Sequence, residues 1–255
     1  MMTESCVAMI SLTAFGASEV RRHGQAWFAR LSHEAGADGV EVRGELLRGD
    51  PDELGELSRI VADTGMRCVY SSPRAMWDES GRFSHEAVAE GLDRARVLGA
   101  ATLKMSIGGF PPGDAVGWRA LKSLLAGSPA ALLVENDQRA CSGTQPALEA
   151  FFRESQAWDV PLGMTFDVGN WHWVGESPLE MARVFAGHVQ YIHCKGVFRR
   201  PDKWVAVPLE QSSAPWRAIL RALPADAARA IEYPLVGEDL CAVTRQALDE
   251  LRHAR

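Results

Sequence analysis

The stretch ALLVENDQRACSGTQPALEAFFRESQAWDVPLGMTFDVGN, residues 131–170, decides the fold class. Its two short apolar runs, ALLVEN and GMTFDVG, have the composition of buried strands. Between them, QPALEAFFRESQAW places apolar residues at the three- and four-residue spacing of an amphipathic helix. Because parallel strands need a crossover connection, the segment predicts one strand–helix–strand unit with parallel strands.

The same alternation extends along the rest of the chain. The eight candidate strands are CVAMISL, GVEVR, MRCVYSS, ATLKMSIG, ALLVEN, GMTFDVG, VQYIHCKGV and ARAIEYPL. Eight strand and helix units in one α/β chain predict a single closed (β/α)8 TIM barrel domain over residues 1–255, because closure removes the sheet edges. A doubly wound open sheet is the alternative, but no glycine-rich phosphate-binding pattern follows the first strand.

Composition narrows the function classes. The chain of 255 residues is 47% hydrophobic and carries a formal net charge of -6, with acidic and basic residues interspersed. This pattern argues against nucleic acid or an anionic membrane surface as the main partner. The five cysteines never form a CxxC pair, and no apolar run is long enough to span a bilayer. We therefore expect a cytoplasmic protein without a cysteine zinc site.

Charged or imidazole side chains close the last four predicted strands. Glu135 ends ALLVEN, Asp167 lies in MTFDVG, His193 in VQYIHCKG and Glu232 in ARAIEYP. Each residue alone has an ordinary explanation, such as an ion pair, a turn or a core histidine. In a barrel, however, these strand ends meet at one mouth, where three carboxylates need a cation to offset their charge. Carboxylate oxygens and one imidazole suit Mn²⁺, Mg²⁺, Co²⁺ or Zn²⁺.

Other polar and aromatic residues are candidates for the same mouth. Lys195 lies two residues after His193, so strand alternation places both on one face. Lys104 either contacts substrate or pairs with a neighbouring carboxylate such as Glu41. Glu41 itself is expected either to support the metal ligands or to contact the substrate. Trp171 follows its strand in a loop where its ring either walls the pocket or packs within the loop.

The motifs VEN, FDVGNW, IHCKG and IEYP resemble those of the xylose isomerase-like TIM barrels of the sugar phosphate isomerase and epimerase type. The resemblance implies one divalent metal, Mn²⁺ as first choice, held by Glu135, Asp167, His193 and Glu232. It also implies that an arginine six residues after the histidine, here Arg199, binds substrate.

Two positions depart from the pattern of the epimerases. Asn170 stands where they have a histidine three residues after the aspartate, and Gly196 stands where an acid commonly follows the HxK motif. These departures leave the metal ligands in place and bear on the substrate, so Asn170 joins the candidate substrate-binding residues.

The resemblance implies an isomerase or epimerase of a small sugar or related polyhydroxy carbonyl compound, acting through an enediolate. Glu135 and Glu232 would remove and return the substrate proton. A non-catalytic or degenerate sugar-binding barrel is the alternative, and an apurinic-site endonuclease is disfavoured because only His193 stands at a strand end. The expected partner is a small sugar or keto acid, with homo-oligomer formation left open.

Overall fold

A closed barrel of eight parallel strands forms the centre of the computed structural model, which describes residues 6–50 and 52–254. Within those ranges the strands are β1 (Ala8–Ser11), β2 (Gly39–Arg43), β3 (Arg67–Ser71), β4 (Thr102–Met105), β5 (Ala131–Glu135), β6 (Gly163–Asp167), β7 (Val189–Cys194), β8 (Gly196–Arg199), β9 (Trp204–Val207) and β10 (Ala228–Ile231). Around the barrel they follow the order β1-β10-β7-β6-β5-β4-β3-β2, with β8 and β9 outside it. The predicted (β/α)8 architecture is confirmed, while residues 1–5, 51 and 255 of the predicted domain lie outside the described residues.

Helices alternate with the barrel strands. They are α1 (Ala17–His23), α2 (Gln25–Glu34), α3 (Glu53–Thr64), α4 (His85–Leu98), α5 (Ala115–Leu125), α6 (Ala140–Gly143), α7 (Gln145–Ala157), α8 (Pro178–Phe185), α9 (Trp216–Ala222) and α10 (Leu240–His253). Several begin at a short polar side chain that accepts a backbone N–H, as Ser84 does for α4 and Asp239 for α10. In the described ranges, no helix combines the length and apolar character that a membrane crossing requires.

Several predicted strands end earlier than their sequence runs, and two of these endings affect the residues at the mouth. The run VQYIHCKGV is divided, because β7 ends at Cys194 and β8 then pairs antiparallel with β9 in a hairpin. Gly196 permits that close pairing, since a Cβ there would lie 2.5 Å from the Val207 carbonyl oxygen. The run ARAIEYPL leaves the barrel after Ile231, so Glu232 follows β10 instead of lying within it.

Strand alternation divides the core into two parts. A small cluster fills the barrel interior, consisting of Met9, Val69, Leu133, Tyr191 and Ala230. A larger cluster fills the layer between strands and helices. Leu133, Tyr191 and Ala230 of this cluster lie on β5, β7 and β10. Two positions after each of them the chain has a polar residue that faces the same way: Glu135, His193 and Glu232. The barrel therefore has an apolar base and a polar mouth at its C-terminal end.

Candidate metal centre

Four side chains from adjacent strands converge at this mouth. Glu135, Asp167, His193 and Glu232 each offer one ligand atom, and these atoms all lie within 4.8 Å of one another. His193 Nδ1 is 3.0 Å from Glu135 Oε1, 3.1 Å from Glu232 Oε2 and 3.8 Å from Asp167 Oδ2. The convergence follows from topology, because β5, β6, β7 and β10 are consecutive in the barrel.

The donor atoms of this cluster fit a divalent cation. Asp167 Oδ2, His193 Nδ1 and Glu232 Oε2 are buried and make no well-aligned hydrogen bond within the described part of the chain, although Lys195 forms ion pairs with the two oxygens. His193 Nδ1 faces carboxylate oxygens of Glu135, Glu232 and Asp167. A cation bound among these atoms would serve the nitrogen and the oxygens together. Carboxylate oxygens with one imidazole are a ligand set that Mn²⁺ and related ions accept.

Asp167 is presented by the turn that follows β6. Its Oδ1 accepts the backbone N–H groups of Gly169 at 2.7 Å and Asn170 at 2.9 Å, which leaves Oδ2 for the cluster. The side chain of Asn136 fixes the backbone of Asp167 from the neighbouring strand. Its Oδ1 accepts the Asp167 N–H at 2.8 Å, and its Nδ2 donates to the Asp167 carbonyl at 3.0 Å. The turn residues and the carboxylate therefore act together.

His193 is oriented from below by Glu41. The Glu41 Oε2 atom lies 2.6 Å from His193 Nε2, and both side chains are fully buried. Holding Nε2 in this way directs Nδ1 toward the other three ligands, as the outer partner of a metal-ligating histidine does. Burial by itself would lower the pKa of His193, but the charges of Glu41, Glu232 and Glu135 raise it well above its ordinary value.

Two cations each contact Glu41 and one of the candidate ligands. Arg43 Nη1 is 2.8 Å from Glu41 Oε1 and 2.7 Å from Glu232 Oε1. Lys104 Nζ lies 3.2 Å from Glu41 Oε1 and 2.9 Å from Glu135 Oε2. Burial would raise the pKa of Glu135, yet Lys104 and His193 lower it to about 2, so this carboxyl remains ionised.

A third cation, Lys195, lies on the solvent side of the cluster. Its Nζ is 2.8 Å from both Asp167 Oδ2 and Glu232 Oε2, and it donates to Asn170 Oδ1 at 3.1 Å. Gln138 Nε2 donates to the same Asn170 oxygen at 3.0 Å. Lys195 and Asn170 are therefore brought to the mouth as the sequence predicts, and the Asn170 amide helps to form its wall.

A cavity of about 310 Å³ opens above the cluster. Its lining residues are all polar or charged: Arg43, Glu135, Asp137, Gln138, Arg139, Asn170, Lys195 and Glu232. The other two residues of the cluster, Asp167 and His193, lie fully buried beneath this cavity.

Four predicted substrate-binding residues do not line the mouth. Glu41 and Lys104 lie buried beneath it and hold His193 and Glu135 in place. Trp171 packs outside the strands instead of walling the pocket, because its ring stacks on Phe185 with centroids 5.8 Å apart. Arg199 lies on the exposed end of β8, with its guanidinium 5.3 Å from the centre of the Trp204 ring.

Sequence reasoning missed four residues that line the mouth, Arg43, Asp137, Gln138 and Arg139, as well as the buried Asn136 that supports Asp167. Arg43 follows Glu41 by two positions in the same strand, so the alternation that identified Lys195 would also have identified it. Asn136 and Arg139 follow β5, where no periodic pattern predicts which side chain a loop directs inward.

The comparisons with known proteins agree with this architecture. A family model described as xylose isomerase-like TIM barrel matches residues 29–252. A xylose isomerase domain containing protein from Salmonella typhimurium is 16% identical with a TM-score of 0.70, covering 100% of this chain and 97% of that chain. D-allulose 3-epimerase from Methylomonas sp., solved in complex with D-allulose, is 11% identical with a TM-score of 0.69. The alignment covers 99% of this chain and 98% of that chain.

A probable 3-DHS dehydratase of petrobactin synthesis from Bacillus anthracis is also similar in structure. It is 12% identical with a TM-score of 0.65, and the alignment covers 97% of this chain and 99% of that chain. No curated protein sequence matches the chain.

Proposed function

The chain belongs to the xylose isomerase-like TIM barrels, and from this premise we propose that it is a metal-dependent isomerase or epimerase of a small polyhydroxy carbonyl compound. The observation that carries the proposal is the convergence of Glu135, Asp167, His193 and Glu232 within 4.8 Å at the barrel mouth. Structural neighbours include a D-allulose 3-epimerase solved with D-allulose and a probable 3-DHS dehydratase, which supports a function of this type.

The divalent ion, when bound, supplies Lewis-acid stabilisation of negative charge that develops on substrate oxygens. The buried charges around it are suited to that task. Four carboxylates, those of Glu41 and the three acidic ligands, face three cations, which are Arg43, Lys104 and Lys195. These side chains together carry a net negative charge, which a bound dication would offset.

In this proposal, Glu135 and Glu232 transfer the substrate proton. Both line the cavity, and two strands separate them around the barrel, so they approach a bound substrate from different sides. Lys104 and Arg43 fix one oxygen of each carboxylate, at 2.9 Å and 2.7 Å. Burial would raise the pKa of Glu232, but Lys195 and His193 lower it well below its ordinary value, so the carboxyl is ionised.

Metal content and solvent exchange together test this function. Protein purified without chelator should contain about one equivalent of a divalent metal per chain, with Mn²⁺ as the first expectation. Loaded with Mn²⁺ in D₂O, it should wash deuterium into at least one member of a panel of ketoses and short hydroxy keto acids, because proton abstraction is the step common to isomerases and epimerases.

The controls separate the alternatives. A non-catalytic sugar-binding barrel would bind a panel member without exchange, and a dehydratase would release water from it. Exchange that persists in Glu135→Gln combined with Glu232→Gln would contradict the assigned role of these carboxylates.

A further inference from the structure

The mouth differs from an ordinary small-molecule pocket in its composition. Such pockets are lined predominantly by apolar and aromatic side chains, with a few polar groups that fix orientation. Here the cavity lining contains no aromatic or aliphatic side chain among the described residues. It therefore suits a ligand that carries oxygen atoms along its whole length.

At the rim of the cavity, a dense network anchors Arg139. Asp137 Oδ2 accepts from Arg139 Nε at 3.0 Å and Nη2 at 2.8 Å, and it also accepts the Ser106 hydroxyl at 2.7 Å. Asp137 Oδ1 accepts the Arg139 backbone N–H at 2.9 Å and the Ser142 hydroxyl at 2.6 Å. Gly143 permits this packing, because a Cβ there would collide with the Asp137 carbonyl.

The network leaves part of the guanidinium available. The Arg139 side chain is 48% exposed and lines the cavity, and Nη1 makes none of the hydrogen bonds found among the described residues. The cations nearer the cluster differ, since Arg43 and Lys195 are each held by two buried carboxylates. Among the described cations that line the mouth, Arg139 is therefore the one that keeps a donor group, Nη1, available for a ligand. Because its side chain is already held in place, less conformational entropy is lost when a ligand binds.

We propose that Arg139 is a specificity residue that binds an oxyanion, a carboxylate or a phosphate, at the end of the substrate remote from the metal ligands. The proposal rests on the proposed function and narrows its substrate class to acidic hydroxy carbonyl compounds. A planar guanidinium is the side chain best matched to such oxyanions. The Gln138 amide lies beside it at the rim, where it bonds to Asn170 and closes that side of the cavity.

Calorimetric titration with three probes that share a three-carbon stem tests the proposal. Glycerate, glycerol 3-phosphate and glycerol are titrated into the full chain, once loaded with Mn²⁺ and once without metal. At least one of the two anions should bind more tightly than glycerol. Arg139→Gln should weaken that anion by roughly 10- to 100-fold, the range expected for a lost charge-assisted contact, and leave glycerol unchanged.

Arg153→Gln on α7 is the matched control, because it removes the same charge from an exposed helix position. Arg139→Lys keeps the charge without the planar fork, so it should recover only part of the affinity if the fork matters. Circular dichroism verifies that each variant is folded.

The outcomes separate the two claims. Whichever anion loses affinity in Arg139→Gln identifies the group as carboxylate or phosphate. Equal anion affinity in the wild type and Arg139→Gln means that the anion binds the metal or another cation, which overturns the proposal, as does a failure of both anions to exceed glycerol. Absence of metal binding would refute the proposed function, while the titrations without metal would still test Arg139.

Discussion

Replacing Glu41 with Gln tests whether the barrel interior orients the metal ligands. Glu41 contributes no ligand atom, yet its Oε2 lies 2.6 Å from His193 Nε2 in a fully buried contact. The substitution keeps the volume and one acceptor oxygen of the side chain and removes its charge. It also leaves Arg43 and Lys104 with one carboxylate partner fewer, which adds uncompensated positive charge beside the candidate metal site.

Both effects weaken metal binding. A hydrogen bond that involves a charged group contributes about 1.5–3 kcal/mol, and loss of the outer partner of a ligating histidine typically costs roughly 10- to 100-fold in metal affinity. We expect Glu41→Gln to raise the dissociation constant for Mn²⁺ within that range. The mutant should still fold, because Lys104 keeps its contact with Glu135 and Arg43 keeps its contact with Glu232.

Calorimetric titration of metal-free protein with Mn²⁺ measures the effect, with circular dichroism as the test of folding. Glu45→Gln is the matched control, because Glu45 pairs with the same Arg43 at 2.9 Å from a partly exposed position without contacting His193. It should change the dissociation constant less than about threefold, as expected for an exposed ion pair. Wild-type affinity in a folded Glu41→Gln protein would refute the idea that this carboxylate orients the histidine.

Three further substitutions address separate parts of the account. Glu232→Gln should retain metal at reduced affinity and lower deuterium exchange by a factor on the order of 10²; near-normal exchange at saturating Mn²⁺ would make Glu232 a ligand only. Trp171→Ala should lower the free energy of unfolding by about 3–5 kcal/mol in urea titrations, because a fully buried ring is removed, whereas little loss would speak against its packing role. Asn136→Ala should remove the partners of two buried backbone groups of Asp167. The free energy of unfolding should fall by about 1–3 kcal/mol, and calorimetric titration should show weaker Mn²⁺ binding. Unchanged Mn²⁺ affinity would mean that the turn alone positions Asp167.

The sequence predicts the fold and the ligand set because both depend on local periodicity. GVEVR coincides with β2, and the alternation of inward and outward side chains places His193 and Lys195 on one face. A parallel barrel converts four successive polar strand ends into one cluster, so no long-range information is needed to group them.

What the sequence does not reveal depends on tertiary contacts. The hairpin of β8 and β9 was hidden because Trp204–Val207 is short and follows a segment of proline and charged residues. Trp171 is a loop aromatic in the sequence, and only its stacking on Phe185 shows that it faces away from the mouth. The role of Arg139 depends on how Asp137 and two serines fold the loop after β5, which no spacing rule encodes.

Elemental analysis of the wild type, Asp167→Ala and Asp137→Asn tests the metal centre most directly. All three proteins are purified without chelator and exchanged into buffer whose only added divalent metal is Mn²⁺, at one equivalent per chain. The wild type and Asp137→Asn should each retain about one equivalent after dialysis, because Asp137 lines the mouth without belonging to the four-ligand cluster. Asp167→Ala should lose the metal. Full occupancy in folded Asp167→Ala, or loss of the metal from all three proteins, would contradict the assignment.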